Sequence, residues 1–508
     1  MNSHNIYKVF ARASSLYPQH IALIHKQETL TYKGLQELVE EKAQVLIENG
    51  VQRGDRILIF IPMSIELYAF LLALFKIGAS AVFVDQWNRR KRLHACLQNV
   101  PCQGFIASRK ILYALSVFSP LIRKIPIKVS THVRPSAQKS VEMCSVSPEE
   151  VALITFTTGS TSIPKAAKRT HAFLLAQFQV LKEEMKTRPS DIDMIGLPVV
   201  ILCNLGVGAS TVIPNYNLAK LGNIPHEKLY KQIQIHRVNR LIHSPFFISS
   251  FAEYVEKKAK DTSVIQQVMT GGAPVFPQDI RCFQKGFPQA KFSIFYGSTE
   301  SEPISMVSGD TLLGQEGDLR EKGLCVGEIS SQIQLRIIPL GKDVLRFESP
   351  EIFERYTELD GEVGEIVVQG SHVLKEYVNN SEAQLIHKIP VGGQIWHRTG
   401  DVGRMIGNTL YLLGRVKHAS FKEGELISPF IYEYLLSQEP GINRATVLLQ
   451  EKVTAYVQAK ATDLQSALKE LLLASYPKIE RVVMVKEFPL DPRHHSKIDY
   501  SVLKEKYG

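Results

Sequence analysis

The sequence predicts an α/β protein of more than one domain, and three observations carry that expectation. At 508 residues the chain exceeds the roughly 250–300 residues at which a single hydrophobic core stops growing. Short apolar runs alternate with helical patterns over its first half, and after residue 360 the texture becomes one of turn-flanked strands. Hydrophobic residues make up 44% and charged residues 22%, the balance of an ordinary globular protein.

RILIFI (56–61), IELYAFLLALFKIG (65–78) and SAVFVD (80–85) follow one another as strand, helix and strand. That rhythm predicts parallel strands joined by a crossover helix. The most apolar segment, LYAFLLALF (67–75), is bounded by Glu66 and Lys76. It is far short of the ~20 residues a membrane-spanning helix needs, so it is read as a buried helix, and no transmembrane segment is expected. VALITF (151–156) reads as another strand, followed by the stretch FTTGSTSIPKAAKRTH (156–171). Leu174, Phe178, Leu181 and Met185 then fall at helical spacing. The loop is therefore expected to join a strand directly to a helix, a position suited to anions. GEVGEIVVQG (361–370) and NTLYLLGR (408–415) read as strands of a β-rich part. Beyond Gly414-Arg415 comes the charged stretch VKHASFKEGELISP, and then a small α+β unit with strands at RATVLLQ and RVVMVKEF. A boundary near 414–417 is expected.

Sixty Lys and Arg against fifty Asp and Glu leave a charge of +10 and a pI near 9.1. The basic residues read as spread along the chain, the densest run being Arg89-Arg90-Lys91-Arg92. A solvated basic surface is expected rather than a nucleic-acid patch, since no basic and aromatic residues interleave in a recognition module. Six cysteines without a CxxC pair suit free thiols in a reducing compartment. No charged-then-apolar leader opens MNSHNIYKVFARASS. A cytoplasmic protein is expected.

The loop carries hydroxyls at Thr157, Thr158, Ser160, Thr161 and Ser162, a glycine at Gly159 and a cation at Lys165. Hydroxyls, exposed amides and a mobile ammonium are the groups that hold phosphate. The usual nucleotide loop is G-x-x-x-x-G-K-[ST]. Gly159 keeps that spacing to Lys165, but Pro164 and Ala166 replace the second glycine and the final hydroxyl.

Three further stretches follow in order: FYGSTE (295–300), RTGD (398–401) and PLDPRHHSKID (489–499). With TTGSTSIPKA they resemble, over almost the whole chain, the adenylate-forming superfamily of acyl-CoA synthetases, peptide-synthetase adenylation domains and luciferases. The resemblance implies a large N-terminal domain, 1–414, with a β-rich subdomain at about 320–414, and a small mobile α+β domain, 415–508. Lys417 stands at the implied hinge. ATP and Mg²⁺ are implied as partners of the site. The loop from Thr157 to Thr161, with Lys165, would hold the β- and γ-phosphates. Tyr296, followed by Gly297 and Ser298, would form one face of an adenine slot, and Gly272, Ala273 and Pro274 the other. Thr299 and Glu300 would supply the phosphate hydroxyl and the metal carboxylate. Asp401 and Arg415 would hold the ribose. Lys497 would bridge the acyl carboxylate and the α-phosphate.

Phe421 stands where thioester-forming members often carry lysine, while Gly424 keeps the register. The DPRHHSKI ending, LCNLGVGASTVIPNYN (202–217), SPFFIS (244–249), GGAPV (271–275) and LCVGEISSQIQLRIIPL (324–340) are similar to the β-lactone synthetase branch. Glu302 departs from that branch's apolar residue. The implied activity is formation of acyl-AMP from an apolar acid, LCNLGVG and SPFFIS being candidate walls. The acyl group then passes to coenzyme A or a carrier-protein thiol, or the substrate's own hydroxyl closes a lactone. The alternative in another class is a nucleotide-binding protein without catalysis.

Overall fold

The computed structural model describes residues 4–84, 90–136, 139–157, 164–216, 224–341, 343–490 and 498–508. Two mixed sheets organise the chain up to Arg415. In the smaller, Arg56–Phe60 and Ser80–Phe83 pair in parallel, as their spacing predicts, and Gly104–Ala107, Ile127–Ser130 and Val151–Thr157 add further parallel strands. The crossover helix is Ile65–Ile77. Ser64 Oγ accepts the Leu67 N–H at its start, and Gly78, at φ 75°, ends it. Every residue of this helix but Glu66 is buried. No helix among the described residues is long and apolar enough to cross a membrane.

One local expectation is corrected. Lys165–Thr170 is a strand, antiparallel to Val151–Thr157 with Thr157 opposite Lys165. The loop therefore closes a hairpin rather than opening a helix. KAAKRT carries no β-branched or aromatic run to announce a strand. It pairs because Ala166, Ala167 and Arg169 are buried against the rest of the molecule. The helix, His171–Met185, begins one element later, where Thr170 Oγ1 accepts the Phe173 N–H.

In the larger sheet Arg240–His243, Gln267–Gly271 and Lys291–Ser298 lie side by side in parallel, and Ser301–Ser308 folds back antiparallel on the last of them. The sheet continues through Leu324–Ile329, Thr409–Arg415, Gln394–Ile406, Gly364–Gly370 and Ile333–Ile338. The runs GEVGEIVVQG and NTLYLLGR supply two of these strands. Helices fill the space between the two sheets around Tyr68, Phe70 and Phe75. The outer face of the large sheet is covered around Phe247, Phe251 and Phe283.

Past Arg415 the chain forms a short hairpin, the helix Pro429–Ser437 and a three-stranded sheet of Ile442–Leu449, Val453–Ala459 and Arg481–Met484. This part has its own apolar cluster, including Ile427, Leu436, Val447 and Leu472. All six cysteines are free.

Candidate active site

The parallel strands of the large sheet end in a crevice, and the sequence places glycines there for a reason. A Cβ on Gly271 would lie 2.5 Å from the Phe295 carbonyl oxygen, so only glycine lets the two strands approach. Gly272 takes φ +81°, with nothing within 4 Å of where its Cβ would be. Gly272 and Pro274 are exposed and Ala273 is half-buried, which leaves a bare ledge of backbone.

On the neighbouring strand, Tyr296 donates its phenol hydrogen to Asp401 Oδ2 at 2.7 Å. Asp401 and Arg415 are register partners across two antiparallel strands. Arg415 Nη1 donates to Asp401 Oδ1 at 2.5 Å and to the Thr399 carbonyl at 3.2 Å. The carboxylate holds the guanidinium above its usual range. Burial, and then Asp401, pushes the Tyr296 phenol far up, so it stays a donor. A carboxylate accepts about four hydrogen bonds, which leaves Asp401 with spare capacity.

Deeper in the crevice, Lys291–Ser298 turns at Thr299-Glu300 into the next strand. Glu300 is only 7% exposed. Its Oε1 accepts from the Tyr377 hydroxyl at 3.0 Å, and its main-chain carbonyl accepts from the Leu374 N–H at 2.7 Å. Ser298 Oγ accepts the Glu300 N–H at 3.3 Å. Two ammonium groups approach the Tyr377 ring, Lys165 at 5.5 Å and Lys388 at 5.2 Å. Lys165 donates to His387 Nε2 at 3.1 Å, and Lys388 donates to the Leu374 carbonyl.

Burial alone would raise the Glu300 carboxyl, but Lys165, Lys388 and the Tyr377 hydroxyl outweigh it and hold the group below its usual range. Burial lowers Lys165, with Glu300 opposing and Arg415 adding to the fall. Burial pushes Lys388 down to about 7 against the pull of Glu300. Burial, followed by Lys165, lowers His387 to about 4. His387 is therefore neutral at neutral pH and free to accept from the lysine.

Of the residues expected from sequence, Lys165, Tyr296, Glu300, Asp401 and Arg415 converge on this crevice, with the glycine ledge beside them. Thr299 contributes its carbonyl to a buried guanidinium described below. Lys417 is exposed in the turn after Arg415, where the His418 N–H bonds the Arg415 carbonyl at 2.9 Å. Thr158, Gly159, Ser160, Thr161 and Lys497 lie outside the described residues, as does the Thr157 side chain. In the candidate wall SPFFIS, Phe247 and Ile248 are fully buried in the outer apolar cluster, which makes them core.

Sequence reasoning missed Tyr377, His387, Lys388 and Arg169. Arg169 is 2% exposed, donates from Nη2 to the Thr299 carbonyl at 2.9 Å and lies 5.7 Å over the Phe173 ring. Its one sequence signal was a charge two places past Ala167, on the same face of the strand.

The described groups suit a magnesium nucleotide. Lys165, Lys388 and the Tyr377 hydroxyl favour the ionised form of Glu300, and Mg²⁺ is commonly held by one or two carboxylates plus phosphate oxygens. Among the described residues no cluster of three or more His, Cys, Asp or Glu side chains could hold an ion by itself, so a single carboxylate sharing its ion with phosphate is the arrangement that fits.

A crevice at the carboxyl ends of parallel strands is where open α/β sheets bind nucleotides, and the charged groups gathered here suit one. The sequence model described as AMP-binding enzyme matches residues 10–378, and the chain belongs to that family. An olefin beta-lactone synthetase of Xanthomonas campestris pv. campestris is 26% identical, over 92% of this chain and 89% of its own. A putative acyl-CoA ligase, YdaB of Bacillus subtilis, is also 26% identical, over 91% of each. Among solved structures, the amide bond synthetase McbA from Marinactinospora thermotolerans superposes with a TM-score of 0.81 at 18% identity, over 98% of this chain and 99% of that one. The O-succinylbenzoate Coenzyme A Synthetase MenE from Bacillus subtilis, in complex with ATP and magnesium ion, gives 0.76 at 20% identity over 98% and 99%. These two likenesses establish the fold.

Proposed function

We propose that the chain activates an apolar acyl acid with Mg-ATP. A carboxylate oxygen bonds to the α-phosphorus, the bond to the bridging oxygen breaks, and pyrophosphate leaves. The thiol of coenzyme A or of a carrier protein then loses its proton and bonds to the acyl carbon of the resulting acyl-AMP, the acyl–phosphate bond breaks, and AMP leaves. The observation that carries this reading is the geometry of one crevice: Lys165 lies over the ring of Tyr377, whose hydroxyl donates to Glu300, and at the outer end Tyr296 and Arg415 both donate to Asp401.

In this reading the hydroxyl loop and Lys165 take the β- and γ-phosphates. Tyr296 and the Gly272–Pro274 ledge take the adenine, and Asp401 and Arg415 the ribose. Glu300 would hold Mg²⁺, which when bound would supply positive charge to offset that of the pyrophosphate. Lys497 draws the acyl carboxylate and α-phosphate together. Residues 1–414 and 415–508 form the two domains, and rotation about Lys417 changes which face of the small domain closes the crevice. The cytoplasm is the proposed compartment.

A second reading, closure of a 3-hydroxy acyl-AMP on its own hydroxyl with loss of AMP, is supported by the full-length likeness to olefin beta-lactone synthetases. Phe421, 51% exposed where thioester formers often carry lysine, supports it too. One experiment addresses both. Pyrophosphate release is measured with Mg-ATP and a panel of fatty and 3-hydroxy fatty acids, and products are identified by mass spectrometry with and without coenzyme A. Release with at least one acid is expected; silence with every acid would sink the proposal. Lys497→Ala should suppress acyl-AMP formation far more than ATP binding.

A further inference from the structure

The excess charge of this protein is not spread along the chain. From Gln86 to Val141 there are eleven Lys and Arg and no Asp or Glu. Subtracting these from the totals of 60 and 50 leaves 49 basic and 50 acidic residues, so the rest of the chain nets −1. Reading runs of adjacent cations concealed this, because the informative feature is the missing acids. Seven of the eleven are described and exposed: Arg109, Lys110, Arg123, Lys124, Lys128, Arg134 and Lys139. Among the described residues none of them joins an ion pair.

The helix Arg109–Phe118 runs through this region, and none of its residues is buried. Its inner side rests Ile111, Leu112 and Leu115 on the apolar cluster beneath. Its outer side presents Tyr113 at 76%, Val117 at 54% and Phe118 at 62% exposure. A helix apolar on both sides is normally covered on both. Here the outer apolar stripe starts beside Arg109 and Lys110, and its far end meets the segment carrying Arg123 and Lys124. The neighbouring strand Ile127–Ser130 is the edge of its sheet and adds Lys128.

We infer that this helix and its cationic surround form a docking surface for an anionic lipid bilayer, with Tyr113, Val117 and Phe118 entering the headgroup boundary and the lysines and arginines facing lipid phosphates. Two features favour lipid over an acidic protein. The exposed apolar residues form a stripe on one short helix, as in interfacial helices, and the segment that supplies Arg109, Lys110, Arg123, Lys124 and Lys128 has no carboxylate of its own to set a register. The acids that hydrogen-bond to it, Glu48 and Glu40, do so at Ser136 and Val141. Nothing in this surface belongs to the nucleotide crevice, so the inference stands apart from the proposed reaction.

The test is co-sedimentation of the full chain with vesicles of phosphatidylcholine alone and of phosphatidylcholine mixed with phosphatidylglycerol. Binding is expected only to the mixed vesicles, and should weaken as salt shortens the reach of surface charge. The variants Phe118→Ser and Arg123→Glu/Lys124→Glu should each lower partitioning about tenfold or more while leaving the thermal unfolding midpoint and pyrophosphate release in solution unchanged. Failure to bind mixed vesicles at low salt would overturn the inference, as would equal binding to neutral vesicles or undiminished binding of both variants. Light scattering that shows a dimer broken by Phe118→Ser, or capture by an acidic carrier protein without vesicle binding, would overturn it as well.

Discussion

The two ends of the crevice are built on opposite plans. At the outer end Asp401 and Arg415 face each other because two antiparallel strands put them in register, and they touch directly at 2.5 Å. Tyr296 adds a third partner. At the inner end two amines, the half-buried Lys165 and the buried Lys388, act on Glu300 through space and rest on a tyrosine ring and on a neutral imidazole or a carbonyl. The outer end is satisfied before any ligand arrives. At the inner end burial disfavours the charged forms of Lys165 and Lys388, a cost that an entering anion would offset. One end is pre-organised for shape, the other is poised for charge.

The comparison breaks first if Glu300 proves dispensable. Glu300→Gln keeps an acceptor for the Tyr377 hydroxyl but leaves both lysines without their counter-charge. Pyrophosphate release should fall by roughly 10²–10³-fold, the scale seen when one charge-stabilising group is removed from an active site, with the circular-dichroism spectrum retained. An unchanged rate would make the inner end structural. Asp401→Ala tests the outer end. It strips Tyr296 and Arg415 of their shared partner, and ATP affinity measured by calorimetry should weaken by about tenfold to a hundredfold, the worth of hydrogen bonds to a charged group. Undiminished affinity would remove the ribose from this corner.

The outer end was legible in the sequence and the inner end only in part. Tyr296, Asp401 and Arg415 sit in short motifs whose spacing is local, and strand register does the rest. The support of Glu300 is non-local. Residues 373–378 bridge two distant elements: Val373 pairs with Ser301, Tyr377 with Ala167, and the Val378 N–H bonds the Ala166 carbonyl at 2.9 Å. No periodicity in the sequence announces those contacts. Lys388 opens the strand Lys388–Val391 and looks like a surface cation until the fold buries it to 2% exposure. Arg169 was hidden by the misreading of its strand, whose alanines carry almost no β signal. The parallel units at 56–85 were legible because burial on both faces leaves continuous apolar runs.

Lys388→Met sharpens the comparison with an effect of the opposite sign. Burial lowers this amine from 10.5 to about 7, so between those values it is neutral in the fold and protonated in the unfolded chain. The unfolded state then binds more protons, and stability rises with pH across that window. Below pH 7 the full cost of the buried charge is present. Methionine removes it, at the expense of one hydrogen bond to the Leu374 carbonyl. Urea unfolding should show the variant more stable by on the order of 3 kcal/mol near pH 6, the gain shrinking towards pH 10, while pyrophosphate release slows. A gain independent of pH would mean that Lys388 keeps its proton throughout.

The smallest effect is expected where the segment beyond Arg415 meets the large sheet's helices. Phe276 packs between Phe430 and Tyr434, both at 5.3 Å, and the Tyr434 hydroxyl donates to Glu316 Oε1 at 2.7 Å. Burial and then Glu316 push that phenol up, so it remains a donor at any pH near neutral. Tyr434→Phe keeps the ring stack and deletes one charge-assisted hydrogen bond, worth about 1–2 kcal/mol. If the small domain swings once per turnover, this bond must open each time. The variant should then lose that much stability in urea, release pyrophosphate at the parent rate, and transfer the acyl group a few-fold faster. Loss of stability without any change in transfer would mean that the helix Pro429–Ser437 stays docked through the cycle, and that rotation, if it occurs, begins beyond it.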